Sequence, residues 1–193
     1  MRVIERMARN QNWAKAAPYL GIAALVLLFV FFSPASLMFW ALINIPLYLF
    51  HQTEEHYIPG GFKRYVNEKV NGLPEGKEAL TDIKVFWINI LTVWSAFIVF
   101  GALSFINLGF GLLIIIFSII NCAAHIGMAI RRREYNPGLA VAALQFAVSV
   151  YAAYFLSAFG NIGGLFFWWL GTIIFSAAVH AAVFKLSLTK RGK

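Results

Sequence analysis

The residues of this chain best suited to chemistry crowd into one stretch, His51-Gln52-Thr53-Glu54-Glu55-His56, directly after the apolar run Ala41–Phe50. His51 and Glu55 are spaced i,i+4, and His51 and Glu54 i,i+3, so on a helix either pair shares a face. An imidazole and a carboxylate so placed can hold one metal ion while the neighbouring carboxylate takes a proton from a bound water. Two more histidines, His125 and His180, stand alone in long apolar runs far along the chain. Zinc suits a ligand set of His51, Glu55, His125 and His180, with Glu54 or Glu55 as the base. Iron, manganese and nickel accept the same donors. Only two carboxylates are at hand, so one metal is expected rather than a di-iron pair. The single cysteine, Cys122, excludes a thiolate site and an intrachain disulfide.

Something must bring these distant residues together. Hydrophobic residues make up 61% of the 193 and charged ones only 12%, about half the share in soluble domains, so the chain belongs to the membrane class. Its net charge is +8. The basic residues flank the apolar blocks, which points to lipid headgroups and topology rather than to nucleic acid. They form four clusters: Arg2, Arg6, Arg9 and Lys15; Lys63, Arg64, Lys69, Lys77 and Lys84; Arg131–Arg133; and Lys185, Lys190, Arg191 and Lys193. Each of the three blocks between clusters is about twice the roughly 20 residues that cross a bilayer core. Each therefore reads as a helical hairpin. The turns are Ser33-Pro34, Asn107-Leu108-Gly109 and Gly160–Gly164.

The expected fold is an all-α integral membrane bundle of six transmembrane helices in three hairpins, one domain over residues 1–193. The spans fall near about 16–32, 35–52, 84–105, 109–130, 138–159 and 164–185. A cytoplasmic loop covers about 56–83, in which Phe62–Asn67 mixes apolar and basic residues and reads either as an interfacial helix or as a solvated loop. No cleavable signal peptide is expected, because the first apolar run continues far past an h-region. All cations then lie on one side, so both termini are cytoplasmic by the positive-inside rule, at the inner membrane in a bacterium.

This topology assigns a depth to each candidate. His125 precedes Arg131 by about 9 Å of helix, and His180 precedes Lys185 by about 7–8 Å. His51 ends the second span. Helices two, four and six run in the same direction, so the three histidines share a depth beside Glu54 and Glu55. Asn89 joins that layer, and Asn121 and Ser176 lie one turn deeper on the faces of His125 and His180. With His56, these polar residues can orient a ligating imidazole by hydrogen bonding. Plainer roles compete. A lone intramembrane histidine, or Asn89, Asn121 and Ser176, can serve as hydrogen-bond partners between helices. His56 reads most simply as a surface residue past the helix end. Trp40, Trp87, Trp168 and Trp169 read as packing and interface belts.

The motif His51-Gln52-Thr53-Glu54-Glu55, followed by Pro59-Gly60-Gly61-Phe62, resembles the HXXEE-motif family of small multi-helix membrane proteins. The resemblance implies a role for His51, Glu54 and Glu55 and names no substrate. Three functions follow. The first is a metal-dependent intramembrane hydrolase acting on a lipid or membrane-embedded substrate near the cytoplasmic face. The second is a metal-free glutamic intramembrane protease resembling the CAAX-processing and bacteriocin-immunity type. It is disfavoured because Pro59 stands where that type has arginine, and Ala129 and Phe184 stand where it has asparagine. The third is a metal or proton carrier, disfavoured by outer helix halves free of charge, or a scaffold, which would not need three histidines at a shared depth.

Overall fold

Every apolar block folds back at its expected breaker. The computed structural model describes residues 2–188, so Lys190, Arg191 and Lys193 of the last basic cluster lie outside the described residues. A short helix α1 (Arg2–Arg9) leads into α2 (Asn12–Phe31). The chain turns at Ser33-Pro34 and returns through α3 (Leu37–Leu42) and α4 (Asn44–His56). A connection follows that holds α5 (Phe62–Arg64), which continues as a π-helical turn over Tyr65–Val70. The second hairpin pairs α6 (Asp82–Trp87), a π-helical segment Ile88–Trp94 and α7 (Ser95–Leu103) with α8 (Gly109–Arg132). The third pairs α9 (Leu139–Phe159) with α10 (Leu165–Ser187). No strand occurs among the described residues.

Among the described residues, five helices are long and apolar enough to cross a membrane: Asn12–Phe31, Asp82–Leu103, Gly109–Arg132, Leu139–Phe159 and Leu165–Ser187. The chain is accordingly a multi-pass helical membrane protein. The remaining expected span, 35–52, is not one helix. Pro46 has no N–H to offer the Leu42 carbonyl, and the helix is interrupted at Ile43. Ile43 keeps helical angles (φ −57°, ψ −28°), so α3 and α4 follow one path with a bond missing. Together they retrace α2. Phe29 meets Phe39 at one end, with ring centroids 5.1 Å apart. Trp13 meets the His56 ring at the other, also at 5.1 Å.

The core runs along α8. Leu112, Ile115 and Ile116 interlock with Ala152, Ala153 and Leu156 of α9 and with Phe39 and Ala41 of α3. Between helices in lipid, apolar burial gains little and close approach carries association. Gly111 permits that approach, since a Cβ there would stand 2.6 Å from the Cβ of Ala41.

One end of the bundle is covered by folded connections. Ala8 of α1, Trp13 and Ala14 of α2, Val66, Leu80, Val85 and Phe86 form a second apolar cluster there. Asn67 ties the connection together. Its Oδ1 accepts the N–H groups of Ala79 and Leu80, and its Nδ2 donates to the Leu80 carbonyl, all at 2.9 Å. The stretch 62–67 is therefore helical and partly buried rather than a solvated loop, with Tyr65, Val66 and Asn67 turned inward.

Candidate functional site

The HQTEEH stretch lies on the last two turns of α4, and the helix carries its side chains to three different neighbours. On one face, His51 and Glu55 meet α8. Nε2 of His125 is 3.0 Å from Glu55 Oε1, and Nε2 of His51 is 3.6 Å from Glu55 Oε2. One donor atom each from His51, Glu55 and His125 lies within 4.8 Å of the others, and all three residues are buried. On a second face, Gln52 and His56 meet the π-helical segment. Glu54 points elsewhere, toward the start of α9.

The proton positions at His125 can be deduced. Asn136, in the loop between α8 and α9, donates from Nδ2 to the His125 carbonyl at 2.9 Å. That bond fixes the amide, so its Oδ1, 2.7 Å from His125 Nδ1, must accept. Nδ1 therefore carries a proton. Nε2 and Glu55 Oε1 are then two electron-pair donors 3.0 Å apart. They require a cation between or beside them, either a proton carried by one of the two atoms or a metal ion shared by both.

The remaining polar residues extend the cluster. Asn121 Nδ2 is 3.0 Å from His51 Nε2, while His51 Nδ1 is buried without a partner among the described residues. Nε2 of His56 is 3.4 Å from Glu55 Oε2 and 3.3 Å from Asn89 Nδ2. His56 is thus no surface residue, because α4 runs one turn further than the expected span and folds its ring under Trp13 and Phe62. Asn89 Oδ1 accepts from Gln52 Nε2 at 2.6 Å, and Gln52 Oε1 accepts from Trp94 Nε1. Asn89 and Trp94 both sit in the π-helical segment, a local form common at functional sites.

Glu54, a candidate base, meets donors from the α8–α9 loop and from α9. Its Oε1 accepts from Tyr135 Oη at 2.6 Å and from the Ala140 N–H at 3.0 Å, and its Oε2 accepts from the Val141 N–H at 2.7 Å. Those two N–H groups belong to the first turn of α9, which has no side-chain cap of its own. A carboxylate from α4 therefore satisfies the free donors and the positive end of the α9 dipole. Burial and the adjoining Glu54 carboxylate push the Tyr135 phenol up to about 12, so it remains a donor at neutral pH.

His180 departs from expectation. It is not within the His51–Glu55–His125 group. Its Nδ1 is 2.7 Å from the Ser176 carbonyl, and its ring lies against Phe117 at a centroid distance of 4.5 Å. The Ser176 hydroxyl has no partner among the described residues, so that residue acts through its backbone. His180 instead lines the same cavity as Glu55, His56, Asn89, Asn121 and His125. The cavity, of about 110 Å³, is otherwise walled mainly by apolar groups such as Val66, Val85, Val179 and Val183.

A family model described as a protein of unknown function with HXXEE motif matches residues 40–153, more than half of the chain. The chain belongs to the HXXEE family. No curated protein and no solved structure matches it. The HXXEE residues here are His51, Glu54 and Glu55, and the matched region also holds Asn121, His125, Asn136 and Gly138; it ends before α10 and His180. Sequence reading missed Gln52, Trp94, Tyr135, Asn136 and Gly138. Asn136-Pro137-Gly138 carried a signal as a turn tripeptide, but nothing in it announced that Asn136 would reach back to His125.

Proposed function

We propose that this HXXEE protein is a metal-dependent intramembrane enzyme, a hydrolase acting on a lipid or another membrane-embedded substrate near the cytoplasmic face. The supporting observation is the approach of one donor atom each from His51, Glu55 and His125 to within 4.8 Å. Two imidazoles and a carboxylate form the protein half of a hydrolytic zinc site, whose fourth position is left for water. Iron and manganese accept the same donors. Asn136 supplies what a ligating His125 needs on its far nitrogen. The adjoining cavity has apolar walls, which suits an acyl or prenyl chain better than a sugar or nucleotide.

Zinc titration of protein purified without chelator tests this. The wild type is expected to bind one zinc, and Asn136→Ala to weaken binding roughly 10–100-fold. His51→Ala and His125→Ala are expected to weaken it further than that. A wild type that binds no stoichiometric metal sinks the proposal.

A metal-free acid–base site has one observation in its favour. Ligating imidazoles nearly always donate their other N–H, and His51 Nδ1 has no acceptor among the described residues. Nε2 of His125 would then keep a proton, and its pair with Glu55 would do the acid and base work. The same titration separates the two.

We also propose six membrane crossings, with α3 and α4 together crossing beside α2 and both termini cytoplasmic, at the inner membrane in a bacterium. The antiparallel contacts of α2 with α3–α4 at both ends support this. So does the lack of Lys and Arg in the three tight turns. An Asn161→Cys chain, whose native Cys122 is buried, is expected to react with an impermeant maleimide from outside only. Labelling from the cytoplasmic side overturns the topology.

A further inference from the structure

With both oxygens of Glu54 already filled by donors, a hydrolytic site here needs another group to take the proton of the attacking water. Resting on the hydrolase proposed above, we infer that His180 is that proton acceptor. Its Nδ1 faces the Ser176 carbonyl at 2.7 Å. A carbonyl oxygen can only accept, so Nδ1 bears the proton. In the neutral ring Nε2 is then an open lone pair. No hydrogen bond or ion pair to Nε2 of His180 occurs among the described residues.

The other three histidines differ in this respect. Nε2 of His51 is taken by Asn121 and Glu55, that of His56 by Glu55 and Asn89, and that of His125 by Glu55. Of the four Nε2 atoms, that of His180 alone has no hydrogen-bond or ion-pair partner among the described residues, and His180 lines the cavity that Glu55 and His125 also line. The Phe117 ring holds the imidazole in place at 4.5 Å. The orientation is therefore built in and does not depend on a ligand.

The step balances without any co-reactant beyond water. Nε2 of His180 takes one proton from a water molecule in the cavity. The water oxygen bonds to the electrophilic carbon of the substrate, and the bond from that carbon to its leaving atom breaks. The leaving atom then takes the proton back from Nε2, and His180 ends neutral.

Diethyl pyrocarbonate, which acylates unprotonated and unbonded imidazole nitrogen, tests the assignment on the unmodified full chain in detergent at neutral pH. Peptide mass spectrometry is expected to find His180 modified about ten-fold or more faster than His51, His56 and His125, because the two ring nitrogens of a histidine differ by what each one bonds. A His180 modified no faster than the others overturns the proposal. In the zinc titration, His180→Gln is expected to leave affinity unchanged. A loss as large as that of His125→Ala would make His180 a ligand and also overturns it. If the wild type binds no zinc, the metal reading fails by itself, and the labelling order still decides His180.

Discussion

Gly138→Ala is expected to destabilise the protein by about 2–6 kcal/mol, combining a strained backbone with an overpacked site, and to abolish zinc binding in whatever remains folded. Gly138 precedes α9 with φ of 97°, a conformation that a residue with a Cβ adopts only under strain. The methyl group would also arrive in the middle of the site. It would stand 2.6 Å from Glu55 Cγ, 2.8 Å from His51 Cε1 and 3.1 Å from His125 Cε1. Gly127, in the middle of α8 with nothing within 4 Å of its added Cβ, is the control. There, alanine is expected to be neutral or to stabilise by roughly 0.5–1 kcal/mol through helix propensity. Thermal unfolding in one detergent compares the two variants. A Gly138→Ala protein as stable as wild type, with intact zinc binding, would mean that the three side chains do not meet around this residue.

The adjacent carboxylates of the motif are expected to fail in opposite ways. Glu55→Gln keeps the shape but removes the negative charge that His51, His56 and His125 surround. Zinc affinity is expected to fall by more than about 100-fold, beyond the loss of a supporting hydrogen bond, with the helices still folded. Glu54→Gln turns an acceptor-only group into one that points an NH2 at other donors. The Ala140 and Val141 N–H groups and the Tyr135 hydroxyl compete for its one remaining oxygen. Hydrogen bonds to charged groups contribute about 1.5–3 kcal/mol each, and a loss of about 2–4 kcal/mol in stability is expected. Zinc affinity of the folded fraction should persist. Unfolding curves and zinc titrations on both variants give the comparison, and equal losses of metal would refute the division of labour.

Much of this arrangement is legible in the sequence alone. Charge clusters and breaker residues located all three hairpins, because a bilayer leaves few alternatives to helices of about 20 residues. Position along each helix was legible too, since rise per residue is fixed. Rotation about the helix axis was not. His125 and His180 line one cavity, yet α8 turns His125 onto Glu55, whereas α10 sets His180 beside Phe117. The consecutive glutamates posed the same difficulty. Neighbours on a helix point about 100° apart, and only packing decides which one meets α8 and which meets α9. Pro46 was visible inside the second span, but the loss of a single bond at Ile43 without a change of direction depends on what α2 and α8 provide around it.

The π-helical segment at Ile88–Trp94 also bears on how the chain can vary by inheritance. A π turn is an α-helix that has accepted one residue too many, and deleting one residue between Ile88 and Trp94 would restore the regular ladder. The extra residue is taken up within the π turn, so the helices on either side would keep nearly the same relative rotation after the deletion. Regular α winding over the undeleted residues would instead set positions five apart about 140° away from each other. The π winding is what lets Asn89 and Trp94, five positions apart, face the same way and hold the two ends of Gln52 together. A relative with a one-residue gap in this segment is therefore expected to lack the π turn and to keep the helices on either side of it in place.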